Sequence, residues 1–251
     1  MKKTVKFGWI PDLPDKRDLK FSIPKPRSLP SLVDLIKNCS PVEDQGAAGS
    51  CVGNSVVGNM EFLMIKNKRP FIDLSRLFAY YNARLLEGST GSDAGAYIRD
   101  AIKALKTLGV CSEKSWPYDV SKVTKRPSIK CYLEALNLQI QKYERLNSLD
   151  EMKTCLSRGF PFVFGFSVYE SFMTDKVAKT GTAPMPKKDE KLLGGHAVCC
   201  VGYADSKKRV TVRNSWGTQW GKDGYFTLPY AYLEDRNLSD DFWTITAGEQ
   251  M

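Results

Sequence analysis

Apolar residues recur at helical spacing through the first part of the chain and gather into short runs towards its end. Between Cys51 and Lys66 an apolar residue recurs at every third or fourth position, which predicts a helix that begins near Ser50. The same spacing predicts further helices over 75–86, 94–108 and 149–158. After residue 160, short runs rich in β-branched and aromatic residues predict strands over 163–169, 196–203, 209–214, 224–228 and 242–247. Helices followed by antiparallel strands favour an α+β fold over a repeated βαβ unit.

Two segments fall outside this pattern. Residues 1–28 carry prolines among alternating charges, and because proline fixes φ and lacks an N–H, the segment is expected to be extended. It is either an N-terminal arm packed on the domain or a short pro-segment that lies over a cleft. Residues 174–193, with Lys, Gly and Pro throughout, are expected to form a long loop before the lone histidine.

Composition and charge narrow the class of protein. A chain of 251 residues that is 42% hydrophobic can bury a core in one domain or in two lobes. The net charge of +9 is spread along the chain, which indicates solvated surface charge and no nucleic-acid partner. No apolar run is long enough to span a bilayer, and none follows the basic start Met1-Lys2-Lys3 as in a secretory signal. We therefore expect an intracellular monomer with no membrane partner.

The seven cysteines form an odd set without any C-x-x-C pair, and the chain has one histidine. Structural zinc sites need four ligands in paired spacing, so no metal site and no cofactor are expected. A disulfide framework is also not expected in a long chain without an export signal. The adjacent Cys199 and Cys200 lie in a predicted strand, so their side chains should point to opposite faces of the sheet.

Cys51 stands at the predicted start of the first helix. The positive end of the helix dipole stabilises a thiolate there, which makes the cysteine a candidate nucleophile. Two glycines in the preceding segment allow a tight turn that brings Gln45 to the same centre, where its carboxamide N–H could stabilise an oxyanion. Taken alone, a cysteine at a helix start is more often a small buried apolar residue.

His196 lies where the long loop enters a predicted strand, and Asn214 follows 18 residues later. If these strands pair through the turn near Asp205, both residues reach the same end of the sheet. Asn214 can then accept a hydrogen bond from the imidazole and orient the ring as a base. Trp216 would cover that bond and keep water away from it.

These segments together resemble the papain and cathepsin cysteine peptidases. The block from Gln45 to Cys51 (Gln-Gly-x-x-Gly-Ser-Cys), the His-Ala-Val segment at His196 and the Asn-Ser-Trp-Gly-x-x-Trp-Gly-x-x-Gly-Tyr run from Asn214 stand in the family's order. The resemblance spans roughly residues 29–247. It implies a two-lobed α+β fold with a helical left lobe (about 42–137) and an antiparallel, β-barrel-like right lobe (about 138–247). The active-site cleft lies between the lobes.

The resemblance also assigns substrate contacts. Gly95 corresponds to the glycine whose backbone pairs with the substrate main chain, and Gly165 and Gly195 to the lining of the second specificity pocket. Trp216 is assigned to the same substrate-binding set. Because neither pocket glycine has a side chain, we expect this pocket to tolerate a large apolar residue.

The chain departs from the best-known members at a disulfide. Ala48 and Ser92 stand where those members have two bonded cysteines. Since both partners are missing together, the change suits a reducing compartment. Val52 replaces the aromatic residue that usually follows the nucleophile, which removes no reacting group.

The sequence therefore predicts a peptidase domain over 29–251 that hydrolyses peptide bonds through a Cys-His-Asn set and an acyl-enzyme, as an endopeptidase acting on proteins or peptides. A transamidase or amidase could use the same set. The non-enzymatic alternative is a protein that keeps the cleft and binds peptides without cleaving them. If residues 1–28 are a pro-segment, the chain is a zymogen.

Overall fold

The computed structural model describes residues 5–248. Seven helices lie in this part of the chain: α1 (Cys51–Lys66), α2 (Arg76–Glu87), α3 (Ile98–Thr107), α4 (Ile129–Ala135), α5 (Leu149–Ser157), α6 (Asp175–Thr180) and α7 (Tyr230–Glu234). The same part contains seven strands: β1 (Leu32–Asp34), β2 (Ile140–Arg145), β3 (Phe162–Tyr169), β4 (Leu192–Ala204), β5 (Arg209–Arg213), β6 (Tyr225–Pro229) and β7 (Ser239–Gly248). The predicted α+β class is confirmed.

All strands join one antiparallel sheet in the order β2-β7-β3-β4-β5-β6, and β1 also pairs with β4. The hairpin of β4 and β5 sets Cys199 opposite Arg213. Asn214 directly follows β5. Because β4 and β5 are antiparallel, this register places Asn214 near His196 of β4. The sheet therefore positions two of the candidate side chains although they lie in different segments.

Helix α1 packs between the other helices and the sheet, and all its residues from Cys51 to Met64 are buried. Two hydrophobic cores result, one shared by the helices and one face of the sheet, the other on the opposite face. Cys199 belongs to the first core and Cys200 to the second, which confirms the predicted alternation. All seven cysteines are free thiols. Within residues 5–248, no helix is long and apolar enough to cross a membrane.

Several boundaries differ from the predicted ones. The helix expected from residue 94 begins at Ile98, because Gly95 has a φ of +86° and the backbone of Ala96 bonds to the N-terminal segment instead of to a helical turn. The expected loop 174–193 contains α6, which Thr174 caps by accepting a hydrogen bond from the N–H of Val177. Helix α4 and strands β1 and β2 had no clear periodic signal.

Candidate active site

Cys51 is the first residue of α1 and is completely buried. Burial raises the pKa of its thiol to about 11, although hydrogen bonds from the backbone N–H groups of Ala197, Gly8 and Val52 oppose that rise. The bond from Ala197 places the sulfur beside the residue that follows His196. The sequence predicted a thiol activated by the helix dipole. In this structure burial instead raises the pKa of the thiol, which favours its neutral form.

His196 is also completely buried. Its Nε2 lies 2.8 Å from Oδ1 of Asn214, which leaves Nδ1 as the ring nitrogen available to the thiol. Trp216 stacks on the imidazole with 4.7 Å between ring centroids, so the predicted cover over the His–Asn bond is present. Burial lowers the pKa of His196 to about 4, while the bond to Asn214 acts in the opposite direction.

Gln45 is held from two sides. Its backbone N–H donates to the carbonyl of Ser215 (2.8 Å), and its Oε1 accepts from Oγ of Ser215 (2.7 Å). The remaining carboxamide group, Nε2, donates to the carbonyl of Ala48 (2.9 Å) and to the carbonyl of Lys6 (3.0 Å). Gln45 thus already binds a peptide carbonyl oxygen from outside its own segment.

The structure therefore brings together the four residues predicted from the sequence. A thiol, an imidazole oriented by a carboxamide and a second carboxamide N–H are the groups needed for nucleophilic attack on a carbonyl. No cluster of three or more His, Cys, Asp or Glu side chains that could hold a metal ion occurs among residues 5–248. The chemistry that this arrangement supports is acyl transfer.

Residues 5–28, here called the N-terminal arm, run through this site. Gly8 lies so close to the start of α1 that a Cβ added to it would stand 1.8 Å from the carbonyl oxygen of Gly49. The N–H of Ala96 donates to the carbonyl of Gly8 (2.8 Å), and the N–H of Ile10 donates to the carbonyl of Ala96 (3.2 Å). Trp9 and Ala96 form a parallel β-bridge, so the arm and the segment around Ala96 run in the same direction there. Gly95 contacts Gly8, but the backbone that pairs with the arm belongs to Ala96.

Trp9 fills a pocket that the two predicted glycines line. A Cβ on Gly165 would lie 1.9 Å from its indole ring, and a Cβ on Gly195 would lie 2.7 Å from it. The N–H of Trp9 donates to the carbonyl of Gly195 (3.0 Å), and its indole Nε1 donates to Oδ2 of Asp241 (3.0 Å). Both glycines therefore contact a large aromatic side chain.

Asp241 and Asp12 are buried acidic residues that the sequence reasoning missed. The backbone N–H of Asp12 donates to the same Oδ2 of Asp241 (2.7 Å), and the Asp12 carboxylate accepts from Nε1 of Trp243 (3.0 Å). No motif marks either residue. The one available signal was the Asp-Asp pair directly before the predicted strand 242–247, since a buried carboxylate requires a partner.

Comparison with known proteins agrees with this geometry. The family model for papain family cysteine protease matches residues 29–238. An uncharacterized peptidase C1-like protein of Acanthamoeba polyphaga mimivirus is 41% identical, with 95% of this chain and 86% of that protein covered. Pro-cathepsin H of Mus musculus is 28% identical. The matched region covers 79% of this chain and 60% of that protein's length.

A solved structure extends the match to three dimensions. Xylellain, a cysteine protease from Xylella fastidiosa, superposes with a TM-score of 0.90 at 42% sequence identity, and 98% of each chain is covered. This similarity covers the helices, the sheet and the cleft between them, so the predicted two-lobed papain-like fold is confirmed. The chain belongs to the papain family of cysteine proteases.

Proposed function

We propose that this cysteine protease is an endopeptidase that works through Cys51, His196, Asn214 and Gln45. The Cys51 sulfur attacks the peptide carbonyl carbon, and the oxyanion accepts hydrogen bonds from Gln45 Nε2 and the backbone N–H of Cys51. His196 takes up the proton of the Cys51 thiol and passes it to the nitrogen of the leaving amine. The amine departs and leaves a thioester on Cys51. Water, deprotonated by His196, then hydrolyses the thioester and restores the thiol.

One observation carries the endopeptidase assignment: an extended segment already threads the cleft on both sides of the thiol. Phe7 lies beside the His196 ring (6.4 Å between centroids) and contacts Gly194, whereas Trp9 fills the pocket at Gly165. One continuous chain therefore passes the thiol. A substrate that continues on both sides of the scissile bond is the substrate of an endopeptidase, because a peptidase that removes terminal residues binds a chain end.

Digestion of an unbiased peptide mixture tests the assignment. Mass spectrometry of the products should show cuts at internal bonds, and the same digestion with Cys51→Ala protein should show none. An epoxide-type thiol inhibitor should label Cys51 stoichiometrically. Folded protein that takes up no label would favour a silent peptide-binding protein, and release of only terminal residues would contradict the endopeptidase assignment.

We propose further that the N-terminal arm holds the enzyme inactive. At Cys51 the arm presents the backbone N–H of Gly8, and an N–H is not a group that a thiol attacks. Because the arm buries the thiol and His196 together, both stay neutral, and a neutral thiol is a poor nucleophile. Departure of the arm would admit water and substrate together.

Replacing Gly8 by alanine should raise the rate of peptide hydrolysis by the full-length chain roughly tenfold or more. The added methyl group would overlap the Gly49 carbonyl, and overpacking of this kind costs several-fold to a hundredfold in an equilibrium constant. Initial rates on a fluorogenic peptide measure the effect. Leu13→Ala, at an arm side chain that is 69% exposed, is the matched control and should leave the rate unchanged. Equal rates for Gly8→Ala and wild type would contradict the inhibitory role.

Inhibition by the arm should be strongest in mild acid. Burial and the neighbouring Asp241 carboxylate raise the pKa of Asp12 from 3.8 to about 7, against the opposing effects of Trp243 and Arg99. Docking of the arm therefore takes up a proton. Its affinity is highest at low pH and falls as pH rises through this window. The charged groups that face Asp12 are Asp241, Arg99 and Arg145.

The measurement is the activity of the wild-type chain divided by that of Gly8→Ala, which cancels titration of the catalytic groups. This ratio should rise several-fold between about pH 5 and about pH 7.5. Asp12→Asn, which mimics the protonated carboxyl, should flatten it. Asp15→Asn removes an arm carboxylate that bonds to Arg17 and should keep the slope. An identical slope in Asp12→Asn would refute the linkage.

A further inference from the structure

We propose that Asp241 makes the pocket at Gly165 and Gly195 select a neutral aromatic side chain that donates an N–H, so that tryptophan is preferred two residues before the scissile bond. The proposal rests on the proposed endopeptidase function and names its substrate class. It extends the expectation of a large apolar residue, because a carboxylate oxygen at the pocket floor requires a donor.

The Asp241 carboxylate is fixed independently of the arm. It lies on β7 where the pairing with β3 shifts register between Val163 and Gly165, and its own φ is +57°. An irregularity of this kind redirects a side chain out of the regular alternation of a strand. Nη2 of Arg145 donates to its Oδ1 (2.9 Å), and the residue is completely buried. One oxygen is thus held by the sheet, and the other is left for the pocket.

Both donors to that second oxygen belong to the arm. Oδ2 of Asp241 accepts the indole Nε1–H of Trp9 (3.0 Å) and the backbone N–H of Asp12 (2.7 Å). When the arm leaves, this oxygen loses both bonds at the bottom of an apolar pocket. A substrate side chain that supplies an N–H there recovers a hydrogen bond to a charged acceptor, which is stronger than one to a neutral acceptor.

The surrounding charges favour a neutral donor over a cation. Arg145 stays beside Asp241, and Arg99 lies near the same site, where its Nη2 pairs with Asp18 of the arm (2.7 Å). Departure of the arm removes the carboxylates of Asp18 and Asp12 from these two guanidinium groups. Asp240 also pairs with Arg145 (3.1 Å), so Asp240 and Asp241 balance the two guanidinium groups once the arm has left. A lysine or arginine side chain would then gain little net attraction for the hydration that it loses, while an indole supplies an N–H without carrying a charge.

Three substrates test the proposal: two that differ only in N–H against sulfur, and a third that carries a cation. The full-length chain carrying Gly8→Ala, which releases the arm, and Trp9→Ala, which removes its indole from the pocket, is assayed on one peptide sequence with the penultimate residue before the scissile bond varied. The three versions carry tryptophan, benzothienylalanine (the same bicycle with sulfur in place of N–H) and arginine. The kcat/KM for tryptophan should exceed each of the others by roughly tenfold or more.

The variants assign this preference to the carboxylate. Asp241→Ala should bring the ratio of tryptophan to benzothienylalanine close to one, and the isosteric Asp241→Asn should give an intermediate ratio. Glu234→Gln, an equal change of charge at an exposed residue of α7, should keep the full ratio. Equal rates on both bicycles, a preference for arginine, or a ratio that survives Asp241→Ala would overturn the proposal. Cleavage of none of the peptides by protein that an epoxide-type inhibitor labels at Cys51 would instead refute the endopeptidase function, and the preference with it.

Discussion

Replacing His196 by alanine in the full-length chain that carries Gly8→Ala should lower kcat for peptide hydrolysis roughly 10⁴-fold. His196 is the one histidine of the chain, and its Nε2 is taken by Asn214, so no neighbouring imidazole can supply the proton transfer. We expect substrate to bind through the glycine-lined pocket and the backbone of Ala96, so KM should change little. Steady-state kinetics on a fluorogenic peptide measure both constants.

His196→Gln provides a control for shape. Glutamine fills much of the imidazole volume under Trp216 but cannot act as a base, so it should be as inactive as alanine. Thermal unfolding of both variants checks that the fold is kept. Retention of more than roughly a tenth of kcat in either folded variant would show that the base lies elsewhere.

Replacing Gln45 by alanine should lower kcat roughly 10²–10³-fold, as expected for loss of one donor to an oxyanion. Nε2 of Gln45 already binds the carbonyl of Lys6 at 3.0 Å, so the donor points to where a peptide carbonyl lies in the cleft. The interaction strengthens as negative charge develops on the oxygen, so the loss should fall on kcat and not on KM.

Ser215→Ala is the matched control for Gln45. Its hydroxyl donates to Oε1 of the same carboxamide, so its removal takes away a support of Gln45 and leaves the Nε2 donor in place. A loss much smaller than that of Gln45→Ala is expected. Equal losses in the two variants would mean that Gln45 acts through the local structure and not as a donor to the oxyanion.

The sequence predicted the grouping of Cys51, His196 and Asn214 better than it predicted their surroundings, for a physical reason. Cys51 begins α1, Asn214 directly follows β5 and His196 lies within β4, and these elements follow from local periodicity. The pairing of Cys199 with Arg213 then sets the relative height of His196 and Asn214. A long antiparallel hairpin leaves little freedom in register, because a slip by one residue would turn its apolar side chains to the wrong face.

The arm and the floor of the pocket could not be predicted in the same way. Contacts such as Trp9 to Asp241 join residues 232 positions apart, and no local pattern encodes them. Proline content predicted an extended segment but not its path. The identities of Gly165 and Gly195 indicated space in the pocket, yet only the fold shows that Asp241 is directed to the same place.

The start of α3 was predicted wrongly for a related reason. Alanines at 94 and 96 are compatible with a helix, but Gly95 has a φ of +86° and the backbone of Ala96 forms its hydrogen bonds with Gly8 and Ile10 of the arm. A tertiary pairing replaces the first helical turn there. Local propensity is a weak guide where a distant segment competes for the same N–H and carbonyl groups.

The account depends on Cys51 and His196 forming a thiolate–imidazolium pair once the arm leaves. The pH dependence of Cys51 alkylation by iodoacetamide, followed by mass spectrometry in the full-length Gly8→Ala chain, tests this most directly. Alkylation should remain fast down to about pH 5, and in Gly8→Ala/His196→Ala protein it should become fast only near the pH where an ordinary thiol ionises, about 8.5. Two superimposable profiles would contradict the pairing.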